Sequence, residues 1–167
     1  MAGTNELETD DSTALKIKTD ALRLLSFRPR SVAELRKRLK LKRYPAPAVE
    51  SVINTLTRQG LLDDEKFAAL FAQSKLYNTP VAKRQIELDL KKKGLSGELI
   101  GAALAGLKDF DEKAAARELV FRRFQKMSGV SDEKKKSRLY AFLKRRGFDN
   151  DTIFSVLADL IKDHDNG

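Results

Sequence analysis

The sequence predicts an all-α protein of three tandem three-helix repeats, about nine helices in an elongated array that is expected to curve. Three observations predict it. Apolar residues recur at helical spacing along the whole chain, and no alternating stretch competes as a strand. Helix punctuation, with Ser, Asp or Pro before a stripe and Gly after it, returns at intervals. One block of apolar spacing also occurs three times.

In that block Leu39, Leu90 and Leu143 share a column, at offsets of 51 and 53. Four residues earlier stand Leu35, Ile86 and Leu139; ten later, Val49, Ile100 and Ile153; fourteen later, Ile53, Leu104 and Leu157; seventeen later, Leu56, Leu107 and Leu160. Chance would fill these slots with apolar residues about once in a million. The shared ten-residue jump across a turn repeats one helix–turn–helix geometry. Gly94 and Gly147 follow the anchor in two copies, whereas Arg43 stands in that slot in the first, so its turn is expected to be built differently, around Pro45 and Pro47. The repeats are placed at 13–62, 63–109 and 110–162, between a disordered acidic tail (1–12) and a short tail (163–167).

Each helix has its own signals. The first is expected over 13–26 with Leu15, Leu22 and Leu25 inward, broken by Arg28-Pro29-Arg30. Ser31 to Glu34 is a capping box that opens the second, with Leu35 and Leu39 inside. Pro45 and Pro47 bracket the start of the third, with Val49, Val52, Ile53 and Leu56, ended by Gly60. The stretch Gly60 to Ala68 is the pivotal joint: a glycine stops one helix, and Asp63 or Asp64 caps the next. That fourth helix (64–78) carries Phe67, Leu70, Phe71 and Tyr77 inward. Thr79 as N-cap and Pro80 in the first turn open the fifth, with Ile86 and Leu90. Ser96 caps the sixth (Ile100, Leu104, Leu107), Asp111 the seventh (Leu119, Val120, Phe124), Ser131 the eighth (Leu139, Leu143) and Asp149 the ninth (Ile153, Val156, Leu157, Leu160).

Composition limits the function. The net charge is +9; with residues 1–13 (−4) and 159–167 (−2) set aside, 14–158 carries +15. Such a body suits a polyanion or an acidic protein surface. No apolar run spans a membrane, and the acidic start is no signal peptide. Absence of Cys excludes a disulfide framework and suits a cytoplasmic location. The lone histidine, His164, permits no histidine triad or metal cluster, and no glycine-rich phosphate loop occurs. Carboxylate pairs such as Asp63/Asp64 read as caps, and no spacing singles out a carboxylate metal site. The chain is therefore expected to be no enzyme and to need no cofactor.

Four segments, Arg30-Ser31-Val32-Ala33-Glu34-Leu35, Gly60-Leu61-Leu62-Asp63-Asp64-Glu65-Lys66-Phe67-Ala68, Leu90-Lys91-Lys92-Lys93-Gly94-Leu95 and Leu143-Lys144-Arg145-Arg146-Gly147-Phe148, resemble in order and spacing the RecX family of RecA regulators, over about residues 20–160. Arg43 and Pro80 depart from the family pattern at two turns. The resemblance implies three three-helix repeats and a non-enzymatic protein lying in the groove of the RecA–DNA filament, where it restrains filament assembly, ATP hydrolysis and strand exchange. It implies as partners the RecA recombinase filament and single-stranded DNA, with double-stranded DNA left open, no membrane, and a monomer.

Basic clusters recur on or near the second helix of each repeat, or at the end of a first helix. The candidate contacts are Arg28, Arg30, Arg36, Lys37, Lys40, Lys83, Arg84, Lys91, Lys92, Arg122, Arg123, Lys135, Lys144, Arg145 and Arg146. On equivalent positions of a tandem array they would form one positive stripe, although lysines near helix C-termini also complement the dipole. Two rivals stand beside this reading. Ser31 to Leu62 passes for a DNA-binding helix-turn-helix, with residues 47–59 as a recognition helix whose first strong base reader is Arg58. A helical adaptor for an acidic protein needs no nucleic acid. Phe121, Phe142 and Phe154 are expected to pack in cores rather than stack on bases.

Overall fold

A computed structural model describes residues 4–77 and 80–165, with side chains over 11–77 and 80–160. Among these residues are nine helices and no strand: α1 (Thr4–Phe27), α2 (Val32–Lys40), α3 (Ala46–Arg58), α4 (Asp64–Tyr77), α5 (Lys83–Lys92), α6 (Gly97–Ala105), α7 (Glu112–Phe124), α8 (Asp132–Arg145) and α9 (Asn150–Asp165). The expected caps carry the geometry. Ser31 accepts from the Glu34 N–H and Glu34 reaches back to Ser31, completing the capping box. Asp63, Asp111 and Asp149 accept from the N–H groups of Lys66, Ala114 and Thr152. Ser96 accepts from Leu99, whereas Ser131 takes the N-cap position without a side-chain bond.

Several sequence expectations need correction. α1 begins at Thr4, not near residue 13, because an acidic, polar run also suits the positive end of a helix dipole; residues 1–3 of the expected tail lie outside the described part. α9 continues to Asp165, into the expected C-terminal tail. Along α1 the buried stripe is Ile17 and Ala21, with Leu24 and Leu25 packed against it, while Leu15 and Leu22 are exposed. On α4, Ala68 and Ala72 join Phe67 inside, and Leu70 and Tyr77 face solvent, Tyr77 with 86% of its surface exposed. α5 starts only at Lys83; Pro80 precedes the helix, and Thr79 lies outside the described residues.

The chain divides into two compact units, Met1–Ala68 with Leu90–Ile100, and Ala69–Asp89 with Gly101–Gly167. In the first, α1, α2 and α3 enclose Leu35, Leu39, Val49, Ile53 and Leu56; in the second, α7, α8 and α9 enclose Val120, Leu139, Leu143, Ile153 and Val156. Each unit also contains a joint between consecutive repeats, and the two joints are built alike. In the first unit the Ser31 hydroxyl donates to the Lys93 carbonyl at 2.6 Å, and the Val32 N–H donates to Asp64 at 2.8 Å. In the second, the Ala82 N–H donates to the Arg146 carbonyl at 3.0 Å, and the Lys83 N–H donates to Glu112 at 3.1 Å. Ala82 and Lys83 stand 51 residues after Ser31 and Val32, and Arg146 stands 53 after Lys93. The N-terminus of one second helix thus receives the C-terminal end of the next, and the acidic first residue of the following α4 or α7 satisfies a further N–H.

Glycine follows α5 and α8 for two reasons. Gly94 and Gly147 are left-handed (φ 80 and 85), and a Cβ would lie 2.5 Å from Cβ of Ala33 or 2.8 Å from Cβ of Gln85. The first copy does not use a differently built turn, contrary to expectation: Arg43 itself adopts φ 60, and its N–H bonds the Lys40 carbonyl as Gly94 bonds Lys91 and Gly147 bonds Lys144. Replacing Arg43 by Gly should stabilise the protein by about 1 kcal/mol, the cost of a left-handed side-chain residue, whereas Gly147→Ala should destabilise it by more than that. Chemical denaturation of both variants checks the opposed signs.

Candidate functional site

α2 and α5 receive bonds from neighbouring helices at their N-termini, Ser131 heads α8 without a side-chain bond, and the solvent faces of all three helices carry lysine and arginine. On α2, Lys37, Arg38 and Lys40 are exposed and have no ion pair among the described residues; Lys37 and Lys40 border a shallow depression with Ala33, Arg36 and Leu41. Arg84 and Lys92 on α5, and Lys134, Lys136, Arg138 and Arg145 on α8, are likewise exposed and unpaired among the described residues. Lys91 is exposed but has a partner of its own.

Other predicted contacts are committed within the fold. Arg36 forms a fork with Glu50, Nε and Nη2 at 2.7 and 2.9 Å from its oxygens, which raises the guanidinium pKa. Arg28 forms a similar pair with Glu34 at 3.1 and 3.3 Å. Arg30 is half-buried and donates to the Leu24 carbonyl at 3.0 Å; burial, then the charge of Arg28, lowers its pKa. Lys83 contributes its backbone N–H to a joint. Arg122 pairs with Glu118, Lys135 with Asp132 at 3.0 Å, and Lys144 donates to the Asn150 amide oxygen at 2.8 Å. Arg123 and Arg146, from α7 and the end of α8, meet at one ring, their guanidinium carbons 4.5 and 4.6 Å from the Phe142 centroid.

The aromatic expectation is corrected in part. Phe121 and Phe154 are 53% and 59% exposed rather than buried, Phe154 lying 5.7 Å from the Tyr140 ring, while Phe142 is half-buried beneath its two arginines. α3 offers little as a recognition helix. Glu50 is held by Arg36, and the Thr55 and Thr57 hydroxyls donate to Ser51 and Ile53 of their own helix. No group of His, Asp or Glu among the described residues is arranged to hold a metal, and no helix among them is long and apolar enough to cross a membrane.

Sequence reading did not identify Glu34 as the electrostatic centre of the first joint. Its carboxylate takes Arg28 and also Lys93 Nζ at 3.0 Å, and Lys93 stands 5.6 Å from the Phe67 centroid. Burial pushes the Glu34 carboxyl up, but the hydrogen bonds from Arg28 and Lys93 outweigh it and hold the pKa at about 2.

A basic chain of three-helix repeats, with cations on each second helix, defines the class: a helical-repeat protein. The family models of RecX match it in order, the first three-helix domain over residues 18–56, the second over 63–104 and the third over 111–157. The chain belongs to the RecX family. It is 36% identical over 146 residues to the regulatory protein RecX of Mycolicibacterium smegmatis, covering 84% of this chain and 77% of that protein. With the regulatory protein RecX of Chlorobium phaeobacteroides it shares 31% identity over 155 residues, 93% and 98% of the two chains. The crystal structure of RecX from Lactobacillus salivarius superposes with a TM-score of 0.72 at 22% identity, covering 90% of this chain and 97% of that one, a likeness of fold.

Glu34 sets a pH signature. Its folded pKa lies below its ordinary 4.5, so its contribution is present above that value and lost as pH falls toward the folded value. Glu34→Gln should therefore be less stable than the parent at pH 7, and denaturation midpoints of the two should converge between about pH 4.5 and pH 2.

Proposed function

We propose that the chain is a non-enzymatic regulator that binds the RecA–single-stranded DNA filament through the basic faces of α2, α5 and α8. Occupying the filament groove restrains growth, ATP hydrolysis and strand exchange. The observation that carries this reading is the sorting of charge: each second helix keeps exposed cations without an ion pair among the described residues, while Arg28 and Arg36 of the same repeat are neutralised internally. Unpaired cations repeated along the sequence suit a long, regular polyanion, because each repeat adds a weak contact and linkage multiplies them. Membership of a family of regulatory proteins, together with the resemblance to RecA regulators, supports RecA as the partner. The chain acts as a monomer in the cytoplasm.

The direct test is capture of RecA by the full chain with and without single-stranded DNA. Capture that depends on DNA supports the filament reading; equal capture without DNA would favour an adaptor, and a sequence-selective footprint on naked duplex would favour the helix-turn-helix rival. Replacing Lys37, Arg38 and Lys40 together by Gln should weaken filament binding by at least about tenfold and flatten its dependence on salt, since fewer counterions are released. A salt response identical to the parent's would exclude phosphate contact by α2.

A further inference from the structure

In the two joints the carbonyl of Lys93 or Arg146 accepts, from the Ser31 hydroxyl in one and the Ala82 N–H in the other, but the joints differ in one charge. At the first, Lys93 finds the Glu34 carboxylate at 3.0 Å. At the second, Arg146 takes the place of Lys93, but Gln85 takes the place of Glu34, 51 residues on. The Gln85 amide donates to Asp89 at 2.9 Å instead. Arg146 therefore lacks the acid its counterpart has. It donates to the Pro80 carbonyl at 2.8 Å and lies against Phe142, where Arg123 lies too. Neither arginine has an ion pair among the described residues. Burial, then the Arg123 charge, keeps the Arg146 pKa below its ordinary value. The ring's negative face offsets part of this repulsion and holds both guanidinium planes in place.

We infer that Arg123, Phe142 and Arg146 form a built site for one phosphodiester group of a nucleic-acid strand. The inference rests on the nucleic-acid contact proposed above and narrows it to one place and one ligand group. Where a carboxylate of this fold takes two cations, as Glu34 does with Arg28 and Lys93, it stands between them in its own chain; the two guanidiniums at the Phe142 ring have no such acid among the described residues, which leaves both forks for a ligand. The tetrahedral diester presents two non-bridging oxygens in diverging directions and can take one fork on each. Exposed Arg145, next in sequence to Arg146, and Lys126, close after Arg123, add positive charge for adjacent phosphates. The first joint, with its cation neutralised by Glu34, has no such site.

The test titrates the full chain into fluorescent oligothymidylate, without RecA, over a salt series. Gln85→Glu restores at the second joint the acid of the first, in nearly the same volume, and should give Arg146 a partner. Arg123→Gln, at an exposed position, removes one fork without disturbing the core. Each should weaken binding about tenfold and lower the slope of log affinity against log salt by about 0.7, the loss of one single-strand phosphate. Lys108→Gln removes the same unit of charge at an exposed position away from α2, α5 and α8 and should change affinity by less than about threefold. Equal losses in all three variants would overturn the site, as would unchanged binding by Gln85→Glu and Arg123→Gln, failure of the parent to bind oligothymidylate, or displacement by polyglutamate as readily as by oligothymidylate. Each of those results leaves the filament reading standing, because that reading is judged by DNA-dependent RecA capture.

Discussion

Where one helix ends and another begins, backbone groups go without intrahelical partners, and the joints of this protein satisfy one kind of end with the other. The C-terminal carbonyls of Lys93 and Arg146 accept from the N-terminal ends of α2 and α5. The arrangement also sets the positive pole of one helix dipole against the negative pole of the next. Because the joining groups are mostly backbone, the side chains around them can vary. Ser31 uses its hydroxyl where Ala82 uses its N–H, and Asp64 serves where Glu112 serves.

Much of this fold was legible in the sequence, because caps and apolar spacing are local. The Ser31 box, the Asp63, Asp111 and Asp149 caps and the buried columns at Leu39, Leu90 and Leu143 all rest on residues within a turn or two of one another. Misreadings arose where two stripes of similar strength share a helix. α1 offers Leu15 and Leu22 on one line and Ile17, Ala21, Leu24 and Leu25 on another, and only packing against α2 and α3 decides between them. On α4 the buried face is made of Ala68 and Ala72, small residues whose pull is weaker on paper than that of Leu70 or Tyr77.

The candidate site was legible as composition but not as circuitry. Basic clusters could be counted; which members are neutralised could not, because Glu50 lies 14 residues from Arg36 and Lys93 lies 59 from Glu34. The repeat column did hold one usable signal, an acid at Glu34 and an amide at Gln85, but its meaning depends on knowing that Lys93 and Arg146 occupy the facing positions. Phe142 packs against the apolar core as expected, but its second role was not legible: guanidiniums from two helices also meet at its ring, and no spacing rule reveals that.

Arg43 gives the repeat series a definite beginning. At Gly94 and Gly147 the start of the preceding second helix fits only because the turn presents a hydrogen, since a Cβ there would fall under 3 Å from Ala33 or Gln85. Arg43 holds the same left-handed backbone but projects an exposed, charged side chain. The Arg43 side chain fills the space that a neighbouring helix start takes at Gly94 and Gly147, so no helix N-terminus could pack on the first turn as closely as Ala33 and Gln85 pack on the other two.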